Sequence, residues 1–157
     1  MAPGRRRCTF CDENGRRCDR AASEFPLYCA FHSNVLYNVV VKKSGIPGAG
    51  MGLWVGDRAI EKNGLIACYG TDRIPKQRAS VAEAKGRTEY LFCEGAWCWD
   101  ARRKDSSIVR FANDAHGTAH KTNAVFVMRG GVPWIKATRR IPPGSEIFAD
   151  YGPDYWG

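Results

Sequence analysis

The chain has 157 residues, of which 44% are hydrophobic and 25% charged, a composition typical of a folded globular protein. This length allows one domain of ordinary size and a small appendage. The formal net charge of +8 fits an acidic or nucleic-acid partner and fits a merely soluble basic surface equally well. No apolar run approaches the roughly 18 residues that span a bilayer, and the start lacks the apolar stretch of a secretory signal. We therefore expect an intracellular protein without membrane association.

The first 33 residues hold four of the seven cysteines, Cys8, Cys11, Cys18 and Cys29, together with His32. Nothing in the sequence signals the oxidising compartment that a disulfide framework would need. Clustered thiolates that end in a Cys-x2-His step suit tetrahedral zinc, and so short a segment buries too little apolar surface to fold without metal. The favoured ligands are Cys8, Cys18, Cys29 and His32; a rival set uses Cys11 and leaves Cys18 out. The sequence predicts a zinc-binding module over residues 1–34.

Residues 35–157 are predicted to form a second domain of many short strands. Strands are expected at Val35–Val41, Leu53–Gly56, Leu65–Tyr69, Tyr90–Cys93, Trp97–Asp100, Ala124–Met128, Trp134–Thr138 and Ile147–Asp150. The glycine-rich stretch Lys42–Gly52 predicts a loop, and the best helix candidate is Arg73–Lys85. The remaining cysteines, Cys68, Cys93 and Cys98, are expected to lie separately in apolar surroundings. The pattern indicates a mainly β domain and argues against the alternating strands and helices of a Rossmann fold.

Three short segments far apart in the chain look like parts of one site. They are Gly48–Trp54, Ile108–Asp114 and Glu146–Gly152. Each alone is unspecific, because glycines let a ligand approach bare backbone but are also common in ordinary turns. In this order and spacing the three segments closely resemble the signature of SET-domain protein lysine methyltransferases, which use S-adenosylmethionine as methyl donor. The resemblance covers roughly residues 36–156.

The resemblance implies a SET-type fold of short twisted sheets. In that fold the Asn113 and Tyr151 segments are brought together by a pseudoknot-like threading, which is unusual because chains generally avoid knots. Many relatives carry a cysteine-rich zinc segment after the tyrosine. Here no cysteine follows Cys98, so the aromatic tail with Trp156 is expected to pack on the cofactor instead.

The resemblance also implies the cofactor site. The glycine loop would lie against the methionine part of S-adenosylmethionine, and Asn113 would lie at the cofactor. Asp114 stands where the family usually has histidine, but a contact from its backbone to the adenine would survive that change. The expected cofactor-binding residues are Gly50, Met51, Gly52, Trp54, Arg110, Asn113, Asp114, Tyr151 and Trp156.

The chemistry implied by the resemblance is methyl transfer to a neutral lysine amine aligned with the departing sulfur. It needs alignment in a narrow, dry channel and no covalent intermediate. Tyr151 and Tyr69 are the expected catalytic residues, and Tyr69, Phe126 and Ala149 are expected to line the channel. Beyond Asp114 the chain departs from the family, because residues 117–121 lengthen the path to Asn123. His116 and His120 in this stretch are predicted to lie in an exposed loop.

We therefore predict a lysine methyltransferase with structural zinc, S-adenosylmethionine as cofactor, and a histone or another basic protein as substrate. Apolar residues at Phe126 and Ala149, where relatives can carry a tyrosine, favour dimethyl or trimethyl product. The basic surface suggests an additional contact with nucleic acid, and a chromatin substrate favours the nucleus over the cytoplasm. The alternative is a catalytically silent module in which zinc and basic residues hold nucleic acid or chromatin.

Overall fold

The computed structural model describes residues 7–8, 11–22, 29–69, 73–78, 91–100 and 107–150. Within these ranges helix α1 (Ala30–Tyr37) precedes ten short strands, a helical segment begins at Lys76, and a 3-10 turn spans Ile108–Phe111. The strands are β1 (Val39–Lys43), β2 (Met51–Val55), β3 (Leu65–Cys68), β4 (Arg73–Pro75), β5 (Leu91–Glu94), β6 (Trp97–Asp100), β7 (Ala124–Arg129), β8 (Val132–Ala137), β9 (Glu146–Ile147) and β10 (Ala149–Asp150). The prediction of a mainly β domain is confirmed. No helix in the described ranges is long and apolar enough to cross a membrane.

The strands form three small sheets with the orders β1-β2-β9, β10-β7-β8-β3 and β4-β6-β5. Strand alternation sets which side chains enter the core, because successive residues point to opposite faces. In the first sheet Val39, Leu53 and Ile147 are fully buried and belong to one hydrophobic cluster. Phe111, Ile135 and Trp99 join the same cluster from the 3-10 turn, from β8 and from β6 of the third sheet. The three sheets therefore share one core.

The predicted strand Val35–Val41 is wrong in its first half, where α1 continues to Tyr37. The helix ends at Asn38, which adopts the left-handed conformation at φ 56° and donates its backbone N–H to the carbonyl of Asn34. Asparagine tolerates this conformation better than most residues, so it can end a helix. Only Val39 onwards is strand, where β-branched residues pack well on a half-buried sheet.

The predicted helix Arg73–Lys85 is wrong at its start. Residues 73–75 form β4, which pairs with β6, and helical conformation begins at Lys76. Proline fits here because β4 lies at the edge of its sheet, where a missing N–H is tolerated. Beyond Arg78, the rest of the predicted helix lies outside the described residues.

The predicted pairing around residues 94–96 is confirmed, because β5 and β6 form an antiparallel hairpin that turns at Gly95. The expectation that Cys93 and Cys98 lie apart is wrong. They face each other directly in the hairpin register, with a Cα–Cα distance of 4.1 Å, and they form a disulfide. A hairpin turn brings residues five apart into register, and the cysteine spacing alone did not indicate this.

The end of the described chain is threaded between two earlier segments. β10 runs parallel to β7, with Ala149 opposite Ala124, while the preceding Phe148 forms a parallel bridge with Asn113. Residues 113 and 124 are the two ends of a single loop, so the strand passes between the ends of that loop. Parallel neighbours this far apart in sequence are not joined by a simple hairpin. The strand that precedes Tyr151 in sequence therefore lies beside Asn113, in agreement with the threading that the resemblance implies.

Candidate functional site

The four favoured metal ligands converge near the start of the chain. The ligand atoms of Cys8, Cys18, Cys29 and His32 all lie within 4.8 Å of one another. The Nδ1 atom of His32 is 3.4 Å from the sulfur of Cys8 and 3.3 Å from that of Cys29. Tetrahedral zinc with ordinary bond lengths places sulfur and nitrogen ligands about 3.6 Å apart. The cluster could therefore hold a metal ion of this size.

The chemistry of the donor set points in the same direction. A hydrogen bond from the Arg20 backbone lowers the pKa of the Cys18 thiol, but partial burial and the neighbouring sulfurs of Cys8 and Cys29 outweigh it, so the pKa is raised. The Cys18 thiol resists ionisation because its thiolate would be repelled by the neighbouring sulfurs of Cys8 and Cys29. A bound cation removes that repulsion, since metal ligands bind as thiolates.

Cys11 lies outside this cluster. It is exposed and occupies a short antiparallel bridge with Arg17 on the far side of a turn. Asp12 fixes that turn, because its carboxylate accepts the backbone N–H groups of Asn14 and Arg16 at 2.9 Å each. Of the two ligand sets that the sequence left open, the structure brings together the one with Cys18.

Helix α1 connects the metal cluster to the β domain. Cys29 stands at its N-terminal cap and His32 lies in its first turn. Farther along, the Asn34 amide donates to Asp57 at 2.7 Å and the Asn38 amide donates to the carbonyl of Arg58 at 2.7 Å. The amide oxygens of both asparagines accept backbone N–H groups of the same loop. The predicted domain boundary between residues 34 and 35 therefore falls inside a helix that contacts both parts.

The three motifs of the sequence meet at Asn113. Its side-chain amide donates to the backbone carbonyl of Met51 at 2.9 Å, which joins the second motif to the glycine loop. The backbone carbonyl of Asn113 accepts the backbone N–H of Ala149 at 2.9 Å, which joins the second motif to the third. One half-buried asparagine thus ties together segments that are about 60 and 40 residues away in sequence.

Asn123 fixes the other side of the third motif. Its amide nitrogen donates to the carbonyl of Glu146 at 3.0 Å, and its amide oxygen accepts the N–H of Phe148 at 2.8 Å. Asn123 is buried, so both of its partners have no access to water as an alternative. Sequence analysis used Asn123 only as a landmark and missed this role, although a polar residue before an apolar strand was a usable signal.

Replacing Asn123 by alanine is expected to lower the free energy of unfolding by about 2–4 kcal/mol, because two buried backbone groups lose their partners. Chemical denaturation followed by circular dichroism measures it. The control is Asn14→Ala, the same change in an exposed turn, for which less than about 0.5 kcal/mol is expected. Equal stability of the two variants would show that the amide of Asn123 does not hold the third motif.

Two of the three glycines of the first motif, Gly50 and Gly52, are needed for different structural reasons. Gly50 has φ +72° and open space where a Cβ would stand, so its backbone is bare and accessible. Gly52 has an ordinary φ, but a Cβ there would overlap the carboxylate of Glu146. That carboxylate is buried and accepts the Ser44 hydroxyl at 2.6 Å and the Gly45 N–H at 2.8 Å. Gly50 can therefore form part of a cradle for a ligand, whereas Gly52 makes room for a structural acid.

Two of the residues predicted to line a channel, Tyr69 and Phe126, belong to a cluster of aromatic rings. The ring centroids of Tyr69 and Phe126 are 5.4 Å apart, nearly perpendicular, and Tyr69 is buried. Phe92 joins them, with its centroid 5.9 Å from Tyr69 and 5.1 Å from Phe126. Sequence analysis missed Phe92, which the β5–β6 hairpin brings to the cluster. Ala149, the third predicted channel residue, is fully buried on β10 beside β7, the strand that carries Phe126.

Of the remaining cofactor candidates, Arg110 and Asp114 lie close to Asn113 in sequence and Trp54 lies on β2. Arg110 is half-buried, with its guanidinium carbon 5.0 Å from the centroid of the Phe111 ring. The Asp114 carboxylate accepts the N–H of His116 at 2.8 Å. Trp54 lies on the opposite face of β2 from Leu53, under the ammonium group of Lys42. Tyr151 and Trp156 lie outside the described residues, so their cofactor and catalytic roles stay predictions.

Comparisons with known proteins agree with this geometry. The SET domain family profile matches residues 50–152, about two thirds of the chain. The fold is similar to that of the methyltransferase domain of human PR domain-containing protein 2, at 16% sequence identity and a TM-score of 0.54, over 74% of this chain and 78% of that one. No curated protein matches significantly in sequence. The matched residues contain the second and third motifs and all but the first two residues of the first, and the chain belongs to the SET domain family.

Proposed function

We propose that this protein is an S-adenosylmethionine-dependent protein lysine N-methyltransferase. The observation that carries the proposal is the junction at Asn113, which joins the bare glycine loop to the strand that leads into Tyr151. The same strand, β10, pairs with β7, which carries Phe126 of the aromatic cluster with Tyr69 and Phe92. A cofactor cradle next to an aromatic channel is the arrangement that lysine methylation requires.

The residues present fit the cofactor. Gly50 offers backbone without a side chain in the way, and Met51 and Asn113 are held side by side by their hydrogen bond. Arg110, Asp114, Gly52, Trp54, Tyr151 and Trp156 are the further residues proposed to hold it. S-adenosylmethionine, when bound, supplies a methyl group on a positively charged sulfur. The protein has to orient this group and exclude water from it.

The aromatic cluster is proposed to guide the lysine side chain. Its rings provide apolar walls for the methylene groups, and their faces tolerate a cationic amine or its methylated product. The hydroxyl of Tyr151 would hold the neutral amine in line with the methyl group, and that of Tyr69 would orient it from the channel side. Alignment and oriented dipoles suffice for this transfer, so no nucleophilic residue of the protein is required.

The four-ligand cluster at the start of the chain is proposed to hold one structural zinc ion. Cys8, Cys18, Cys29 and His32 fill a tetrahedral site completely, and a closed site of this kind stabilises structure without binding substrate. Its place at the beginning of α1 means that the metal would also fix the helix that contacts the loop around Asp57.

The proposed substrate is a histone or another basic protein, in the nucleus. Incubation of the full chain with radiolabelled cofactor and a panel of histones, followed by gel autoradiography, tests this. Label on a lysine residue supports the proposal. Transfer to none of these proteins, together with tight binding to chromatin, would favour the catalytically silent binding module, which the substitution of histidine by Asp114 mildly favours.

The proposed enzyme is expected to add two or three methyl groups. Phe126 and Ala149 bring no hydroxyl to the channel, so nothing at these positions would anchor a water molecule or restrict the rotation of a methylated amine. Phe126→Tyr restores a hydroxyl and is expected to shift the product toward monomethyl-lysine. Mass spectrometry after a long reaction with excess cofactor measures the distribution.

The conservative exchange Phe126→Leu, which leaves the position apolar, serves as control and should retain higher methylation states in the product. Wild-type protein that stops at one methyl group would contradict the prediction and show that another residue sets the limit.

A further inference from the structure

A groove of about 540 Å³ lies on the face of the first sheet that points away from the core. Trp54 and Glu146 belong to its floor; they are paired neighbours on β2 and β9, whereas the adjacent pair Leu53 and Ile147 faces the core. The groove shares Trp54 and the start of the third motif with the proposed methyl-transfer site, but the residues of its rim have no role in that site.

The rim of the groove is basic. Lys121, Arg139 and Arg140 line it with exposed side chains, and His120 lies beside them. Lys42 adds a further cation next to the floor, with its ammonium group 4.4 Å from the centroid of the Trp54 ring. These groups come from three separate parts of the chain, and the fold gathers them along one face.

Within the described residues, acidic side chains neutralise little of the positive charge of this rim. Glu146 is buried beneath the groove, and its two oxygens are occupied by Ser44 and Gly45. Glu61 pairs with Arg140 at 3.4 Å, but both side chains are well exposed, and such surface pairs contribute little. Lys121 and Arg139 make no ion pair among the described residues.

The rim is held in place by local contacts. The guanidinium of Arg139 donates to the carbonyl of Lys121 at 3.4 Å, which links the two basic segments. His120 stacks on Phe148, with ring centroids 4.9 Å apart, and its backbone N–H donates to the Thr118 hydroxyl at 3.1 Å. The stretch of residues 117–121, which departs from the family pattern, therefore shapes one wall of this groove.

We propose that this groove binds the phosphate backbone of duplex DNA without reading its sequence. Exposed cations are screened by salt, so they hold a single small anion weakly. A polyanion gains more, because each neutralised phosphate releases condensed counterions. Arginine presents a planar fork that matches phosphate oxygens, and the separate basic segments suit successive phosphates along a strand. This goes beyond the proposed methyl transfer and does not depend on it.

The test is fluorescence anisotropy of the full chain with a labelled 20-base-pair duplex, titrated at several KCl concentrations. About three phosphate contacts predict a slope of log affinity against log salt near −3. In the variant Arg139→Gln/Arg140→Gln the slope should fall in magnitude by about two units, and affinity at 0.1 M salt should drop by roughly 30- to 100-fold. Lys121→Gln alone should reduce the slope by about one unit.

The charge-matched control is Arg78→Gln/Arg129→Gln, which removes two exposed arginines away from the groove. It should retain most of the affinity and the slope. Thermal melts of all variants verify folding. Three outcomes would overturn the proposal: no duplex binding by the wild type at 50 mM KCl, equal losses in the control and the groove variant, or tighter binding of a short phosphoserine peptide than of the duplex.

Discussion

Cys29→Ser is expected to abolish metal binding and to unfold the N-terminal module. Cys29 is buried, its sulfur is 3.3 Å from Nδ1 of His32, and its backbone begins α1. Zinc binding is worth roughly 10–16 kcal/mol in zinc-finger peptides, which exceeds what so small a segment gains from its own core. Elemental analysis should find about one zinc per wild-type chain and almost none in the variant, and circular dichroism should show the loss of structure.

The matched control is Cys11→Ser, since Cys11 is exposed outside the cluster. It should retain the metal, whereas Cys8→Ser should lose it. The assignment would be contradicted if purified wild-type protein contained no zinc, or if the Cys29→Ser variant contained about one zinc ion per chain. Loss of metal from Cys11→Ser together with its retention in Cys18→Ser would instead support the rival ligand set.

The loss of structure that follows zinc removal should extend into the β domain. The amides of Asn34 and Asn38 hold the loop at Asp57 and Arg58, and both belong to the helix that the metal cluster begins. We therefore expect hydrogen exchange to accelerate in residues 56–58 when zinc is chelated, while β7 and β8 stay protected. Unchanged exchange in the loop would show that α1 is stable without the metal.

The sequence predicted the strands best where hydrophobic periodicity and turn residues agree. β7 and β8 were expected on either side of Gly130 and Gly131, and both of these glycines adopt positive φ in the tight turn between them. The strand prediction at Val35 is wrong because it rests on local propensity alone. Valine favours strands, but here it lies in a helix that begins after Cys29 and ends at Asn38, and local propensity does not report these boundaries.

From the sequence, the candidate site could be predicted only through its resemblance to the SET-domain family. The convergence at Asn113 depends on contacts between residues about 60 positions apart, which no local pattern encodes. Phe92 was missed because its place in the ring cluster depends on how the β5–β6 hairpin packs on β7. The basic groove could not be predicted from the sequence for the same reason, since Lys42, Lys121 and Arg139 come together only in the fold.

Tyr151→Phe is expected to reduce the rate of methyl transfer by about two orders of magnitude or more. The exchange removes one oxygen and hardly changes volume, so stability should be preserved. Tyr151 directly follows β10 in sequence, and Ala149 on that strand pairs with Ala124 and donates its N–H to the carbonyl of Asn113, where the three motifs meet. A hydroxyl held there would align the amine with the methyl group, and the loss of one positioned donor typically costs a factor of 10² to 10³ in rate.

Two measurements separate alignment from binding. Single-turnover transfer of labelled methyl to a histone peptide reports the chemical step, and isothermal titration with S-adenosylmethionine reports cofactor affinity, which should change much less. Tyr37→Phe, the same exchange at an exposed position on α1, is the control and should leave both quantities unchanged. Undiminished transfer in Tyr151→Phe would remove this hydroxyl from the mechanism, and an equal loss of cofactor affinity would make Tyr151 a binding residue, because a group that aligns the reactants acts mainly on the rate.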